Sequence, residues 1–280
     1  PSRSRGQAMR AAAHLRIPFL TLDLEKEYKD GVVDYMIREY ARGRVPNPDV
    51  MCNKEVKFGA FLEFARAHGA DMIATGHYAR VLRGDDGAAH LLAGKDPNKD
   101  QSYFLWTLTQ EQLAHTLFPV GDLLKSEVRA RAREFGLPNS EKKDSQGLCF
   151  MGQVHMADFL KHYLATKKGS VLDTEGHVIG EHDGAILYTI GQRHGFATIK
   201  RTERELPYFV LEKDIDANTI TVGHRDPDLS RGSTRTVMLE DVHFINMPSC
   251  DDRLMLRLRY RDILHSATIA SSGCRSRRPT

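Results

Sequence analysis

The chain has 280 residues, 41% of them hydrophobic, and 40 Lys and Arg against 37 Asp and Glu, for a formal net charge of +3. That length supports a sizeable core and one to three domains, while a mildly basic balance permits a nucleic-acid partner without arguing for one. The four cysteines form no CxxC pair and no Cys/His cluster of zinc-ligand spacing, and no apolar run or signal peptide suits a membrane, so neither a disulfide framework, a metal site nor a membrane partner is expected; the expected setting is cytoplasmic.

"GQAMRAAAHLR" predicts a helix and "IPFLTLDL" a short apolar strand. From Glu25 to Ala41 the residues Val32, Val33, Met36, Ile37 and Tyr40 share one helical stripe. "GRVPNPD" ends that helix, because two prolines and an Asn-Pro step force a turn. A second amphipathic helix is expected from Asn53 to His68, then a buried strand, "ADMIATG". This order of elements predicts an α/β fold with a parallel sheet covered by helices. Ligands of such sheets bind beyond the carboxyl ends of strands, where "ATGHYAR" falls.

"KDQSYFLWTL" and "EQLAHTLF" precede a helix expected from Ser126 to Phe135. "LPNSEKKDSQGLCFMGQ" reads as a linker loop, and "HMADFLKHYL" as a helix. "GSVLDTEGHVIG", "ILYTIGQRHG", "PYFVLEKD" and "NTITVGH" then read as short strands with glycine turns, predicting a β-rich part of the barrel type. In "RLMLRLRYRD" the apolar residues Leu254, Leu256, Leu258 and Tyr260 alternate with Arg253, Arg257, Arg259 and Arg261. On a strand that gives an apolar face and a basic one, which either tracks a phosphate backbone or is simply solvated. Between Arg253 and Arg261 no acidic residue stands before Asp262 to pair with the arginines.

Cys52 is expected one residue before a helix N-terminus, with Lys54 and Lys57 nearby. The helix dipole and both cations favour the thiolate, the reactive form of cysteine. The competing reading is a cysteine that packs as a small hydrophobe. Asp49 is either a proton acceptor and donor for chemistry at Cys52 or the closing residue of an Asx-turn. Cys149 lies in a glycine-flanked loop after Lys142 and Lys143, which suits thiol exchange; otherwise it is an incidental loop cysteine. Cys250 and Cys274 have no such context. Gly76 lets a backbone approach a ligand closely, and His77 is either a substrate contact or a structural histidine. Lys99, Asp100 and Gln101 cluster without a specific signal.

Taken in order, "GRVPNPDVMCNKEVKF", "ADMIATGHYAR", "DPNKDQSYFL", "FPVGDL", "KKDSQGLCFMGQ", "YTIGQRHG" and "RYR" resemble the tRNA-specific 2-thiouridylases over nearly the whole chain up to about Ser266. The resemblance implies three domains: an adenine-nucleotide-hydrolase-like (PP-loop) α/β catalytic domain over 1–147, a small central domain over 148–206 and a partial C-terminal β-barrel over 207–280. It implies conversion of the wobble uridine of tRNA to 2-thiouridine, using ATP (with Mg2+) and a persulfide sulfur from a relay protein or cysteine desulfurase. Cys52 takes the role of nucleophile, Cys149 that of persulfide carrier and Asp49 that of acid/base. Asn47, Pro48 and Asp49 would contact the target base, and Gly76 the ATP. His77, Lys99, Asp100, Gln101, Arg259 and Tyr260 would contact the tRNA anticodon stem-loop.

The sequence departs from the family in lacking an S-G-G-x-D-S loop, and "SSGCRSRRPT" replaces most of the terminal barrel. Beginning at Pro1, the chain reads as a fragment or a gene product with a damaged terminus, and by itself is expected not to activate uridine. Two other readings remain: an ATP-independent thiol redox or sulfur-carrier protein, and a non-catalytic RNA-binding protein.

Overall fold

A computed structural model describes residues 2–142, 156–198, 206–224, 238–248, 253–257, 260 and 263–269. The chain divides into two units, one of Pro1–Tyr28, Asp49–Ser145 and Val237–Thr280, the other of Lys29–Pro48 and Gln146–Thr236.

In the first unit, the expected N-terminal helix spans Ser2–Leu15. "IPFLTLDL" forms no strand: a strand needs a neighbour for its N–H and C=O groups, and Ile17, Phe19 and Leu20 stand exposed. The long helix opens as α-helix Pro48–Met51, widens into a π-helical stretch over Cys52–Ala60, and returns to α-helix over Phe61–Ala67. The wider winding places Gly59 against the Lys54 carbonyl, where a Cβ would stand 2.9 Å from the oxygen. Such π segments occur frequently at functional sites.

Strand β1 (Ile73–Ala74) follows, then the hairpin β2 (Ala79–Arg83) and β3 (Ala89–Ala93). Strand β4 (Thr116–Leu117) pairs in parallel with β1, Ile73 opposite Thr116. This pair is the part of the expected parallel sheet present among the described residues. Before β4, helix Gln110–Ala114 is capped reciprocally: Thr109 Oγ1 accepts from Gln112 N–H, and Gln112 Oε1 accepts from Thr109 N–H. Helix Lys125–Glu134 matches the expected Ser126 to Phe135. Phe58 and Leu62 from the long helix meet Ile73, Ala79, Ala89, Leu105, Leu108, Leu113 and Phe118 in one core. Burying such side chains contributes roughly 1.5–3 kcal/mol each, so the core fixes the long helix over the end of β1.

In the second unit, a π-helical stretch, Lys29–Val33, leads into helix Asp34–Ala41, whose Met36 and Tyr40 pack on Leu160 of helix Met156–Tyr163. Strands β5 (Gly169–Leu172), β6 (Val178–His182), β7 (Phe196–Thr198), β8 (Phe209–Asp214) and β9 (Thr219–Gly223) form one sheet in the order β7-β6-β5-β9-β8. The boundary expected between 206 and 207 therefore separates strands of a single sheet. "ILYTIG" is not a strand: Gly184 has φ +135° and a 3-10 turn, Ala185–Leu187, delivers Tyr188 into the sheet's core.

Strands β10 (Leu254–Leu256) and β11 (His265–Ala267) pair antiparallel in the first unit. The strand expected over Arg253 to Asp262 is thus shorter, and its faces are not those of the alternation. Leu256 is exposed, while Arg257 is partly buried beside Asp100.

Candidate active site

The long helix begins at Pro48, a residue whose fixed φ and missing N–H suit a first helical turn. Asp49 stands in that first turn, where a carboxylate is favoured by the helix dipole. Cys52 lies one turn further in, with none of its surface exposed. The expectation that Cys52 precedes the helix start is corrected: Pro48 already accepts the helical geometry, so the open N–H groups belong to the turn before Cys52. Lys54 turns outward to Glu55, 3.1 Å away.

Lys57 turns inward. Its Nζ donates to Asn53 Oδ1 at 3.0 Å and to His77 Nε2 at 3.5 Å. Asn53, 2% exposed, donates through Nδ2 to the Phe104 carbonyl at 3.0 Å. His77 follows β1 and packs between Phe58 and Phe118, with ring centroids 5.6 and 6.0 Å away. An ammonium only donates, so Nε2 must accept, and the neutral ring carries its proton on Nδ1, which donates to Thr75 Oγ1 at 2.9 Å. Burial, helped by the Lys57 charge, lowers the His77 pKa from 6.5 to about 3. His77 is therefore a neutral, internally bonded ring at neutral pH.

Gly76 is exposed next to it, and nothing lies within 4 Å of where its Cβ would stand. That open space at the carboxyl end of β1 fits a ligand drawn close to the backbone.

The loop from Lys95 to Ser102 is built by two aspartates. Asp96 accepts from the N–H groups of Lys125 and Asn98, both at 3.0 Å, and the Lys125 bond chiefly holds its carboxyl below the usual range. Asp100 Oδ1 accepts from Gly94 N–H at 2.9 Å and Ser102 N–H at 3.1 Å; Oδ2 accepts from Ser102 Oγ at 3.0 Å. Arg257 lies 3.6 Å from Oδ2. Gln101 clasps the residue after His77, exchanging bonds with Tyr78 N–H through Oε1 and with Tyr78 C=O through its own N–H. The Tyr260 ring lies tilted against those of Phe104 and Tyr103, with centroids 4.6 and 5.9 Å away. Gly76, His77, Asp100, Gln101 and Tyr260 thus belong to one connected region, in which the side chains of Asp100 and Gln101 serve the protein's own loops. Cys149, Arg259, Cys250 and Cys274 lie outside the described residues.

Residues 2–153 match the tRNA methyl transferase HUP domain, and residues 157–224 the tRNA methyl transferase PRC-barrel domain. The chain is 44% identical over 268 residues to the tRNA-specific 2-thiouridylase MnmA of Streptococcus thermophilus, covering 95% of this chain and 72% of that protein. The chain belongs to the tRNA-specific 2-thiouridylase family. It is also 50% identical over 214 residues to the MnmA of Enterococcus faecalis and 49% identical over 219 residues to that of Akkermansia muciniphila. These alignments cover 76% and 78% of this chain, which spans 57% and 61% of the length of those two thiouridylases.

The two successive profile matches give a HUP domain followed by a PRC-barrel domain as the architecture of this 2-thiouridylase family member. Asn53 is the site residue that sequence reading passed over. Its signal was a buried-side amide four residues before Lys57, the spacing that puts two side chains on one helical face.

Proposed function

We propose that the protein is a tRNA 2-thiouridylase that replaces the C2 oxygen of the wobble uridine with sulfur. Family membership, together with a buried Cys52 one turn into a helix beside Asp49, is the observation that supports this reading. ATP, with Mg2+, supplies the activating group that turns the 2-oxo oxygen into a leaving group; the open backbone at Gly76 fits its approach.

The chain's own residues then move sulfur. Cys149 carries a terminal persulfide sulfur received from a desulfurase or relay protein, and that sulfur attacks C2 as the activated oxygen leaves. Cys52 attacks the Cys149 side of the S–S linkage, either to free the sulfur or to release the thiolated base. The bond that breaks is S–S, the bond that forms joins Cys52 to Cys149, and an external thiol returns both to the reduced state. Asp49, at the polarised start of the helix, is placed in sequence to exchange a proton with the target base, and Asn47 and Pro48 to hold it. An anticodon loop presents an unpaired base, so drawing it into such a site costs little. Cys149 and Arg259 enter as carrier and tRNA contact, along with Lys99 and Tyr260. The partial β-barrel over 207–280 serves as further RNA-binding surface, and the setting is the cytoplasm.

The two matched domains are named for methyl transfer, but paired cysteines in long matching motifs favour sulfur chemistry. The test is the 2-thiouridine content of tRNA from a bacterial strain that lacks its own 2-thiouridylase and carries the full gene. The native gene restores the nucleoside, while Cys52→Ser and Cys149→Ser do not, although both variants bind the anticodon stem-loop normally. Restoration by either variant contradicts the reading and leaves a non-catalytic RNA-binding role.

A further inference from the structure

Among the described residues, Lys57 differs from the other cations around the Cys52 helix. Lys54 is exposed and has Glu55 at 3.1 Å, and Arg66 has Glu111 at 2.7 Å. Lys57 is half-buried, and its partners are two neutral acceptors, Asn53 Oδ1 and His77 Nε2. Two acceptors leave the third ammonium proton of Lys57 for another group. A half-buried cation held by neutral acceptors, with no ion pair among the described residues, is placed to receive an anion.

The surroundings fix where the charge stands. Asn53 is anchored to the Phe104 carbonyl, and His77 to Thr75 and between two phenylalanines. His77 stays neutral because it is buried, so it holds Lys57 as an acceptor instead of repelling it. The residue immediately before His77 is Gly76, the open backbone at the carboxyl end of β1.

We propose that Lys57 is an anion-binding residue that takes a phosphate oxygen of bound substrate, with Asn53 and His77 as the positioning residues that aim its ammonium. This rests on the reading of the protein as an ATP- and tRNA-using enzyme. The phosphate comes either from the nucleotide or from the RNA backbone next to the target base. His77, whose ring is engaged internally, then serves the bound substrate through the lysine it supports.

The test compares the native full-length protein, expressed from the full gene, with its Lys57→Gln variant, which keeps a donor but removes the charge, and its Lys57→Arg variant, which keeps the charge. Circular dichroism and thermal melting select variants that are folded. Two probes are used: ATP, and an anticodon stem-loop RNA titrated over a series of salt concentrations. If the phosphate is RNA's, Lys57→Gln lowers the slope of log K against log salt by about 0.7, the loss expected for one phosphate contact on a single strand, and Lys57→Arg restores it. If it is the nucleotide's, Lys57→Gln weakens ATP binding about tenfold, the loss of one charge-assisted hydrogen bond, and leaves the RNA slope alone. A folded Lys57→Gln chain that binds both probes as the native chain does overturns this proposal and leaves the thiouridylase reading intact. A native full-length protein that binds neither probe overturns both.

Discussion

The Arg257 guanidinium lies 3.6 Å from the Asp100 carboxylate, joining the end of β10 to the loop that follows β3. Asp100 also receives three donors from Gly94 and Ser102, so its carboxylate organises the loop whether or not Arg257 is present.

The two partners should therefore behave unequally. Asp100→Ala strands two part-buried backbone N–H groups and is expected to cost about 1–3 kcal/mol in urea unfolding. Arg257→Met removes a partly exposed cation, and with it a buried Nε that has no partner, so it is expected to cost under about 1 kcal/mol. Equal losses would mean that the ion pair, not the loop, is what Asp100 supports.

His77 sets a pH dependence. Its pKa falls from 6.5 unfolded to about 3 folded, so between those values the unfolded chain binds the extra proton and stability rises with pH. The contribution is complete above about pH 6.5 and is lost as pH falls toward 3, with an upper bound of roughly 5 kcal/mol. In His77→Gln the acid-side slope of stability between these limits should flatten. An imidazole resonance of His77 that titrates near pH 6.5 would contradict the buried, neutral ring.

Two glycines separate a packing need from a ligand need. A Cβ at Gly121 would overlap the Ala79 carbonyl, so Gly121→Ala is expected to destabilise by about 1–3 kcal/mol or more. At Gly76 a Cβ meets nothing within 4 Å, so Gly76→Ala should stay within about 0.5 kcal/mol of the native stability. Weaker ATP binding by a fully stable Gly76→Ala chain would then report the ligand directly. Unchanged binding would remove Gly76 from the nucleotide site.

Much of this was legible in the sequence. The Phe58 and Leu62 stripe, the helix over Lys125–Glu134 and the glycine-separated strands β5, β6, β8 and β9 carry strong periodic or turn signals, and all formed. Other local readings went astray, among them "ILYTIG", where the positive φ of Gly184 and a 3-10 turn replace the strand. "IPFLTLDL" has strand composition but no pairing strand among the described residues. Cys52 seemed to open a helix because Asn-Pro breaks chains, yet Pro48 is also a favourable first helical residue. The alternation around Arg257 ignored Asp100, which no local window contains. The inward turn of Lys57 and the buried state of His77 depend on packing between the long helix and the end of β1, for which a single sequence holds no direct signal.

The central claim is that sulfur travels on Cys149 and is released to the target base when Cys52 attacks Cys149. It is tested most directly by peptide mass spectrometry of the chain after incubation with a cysteine desulfurase and cysteine. The account predicts the added mass of one sulfur atom on the Cys149 peptide, its absence in Cys149→Ser, and a Cys52–Cys149 disulfide once that sulfur has been released. Sulfur on Cys52 instead, or loading that survives Cys149→Ser unchanged, would contradict it.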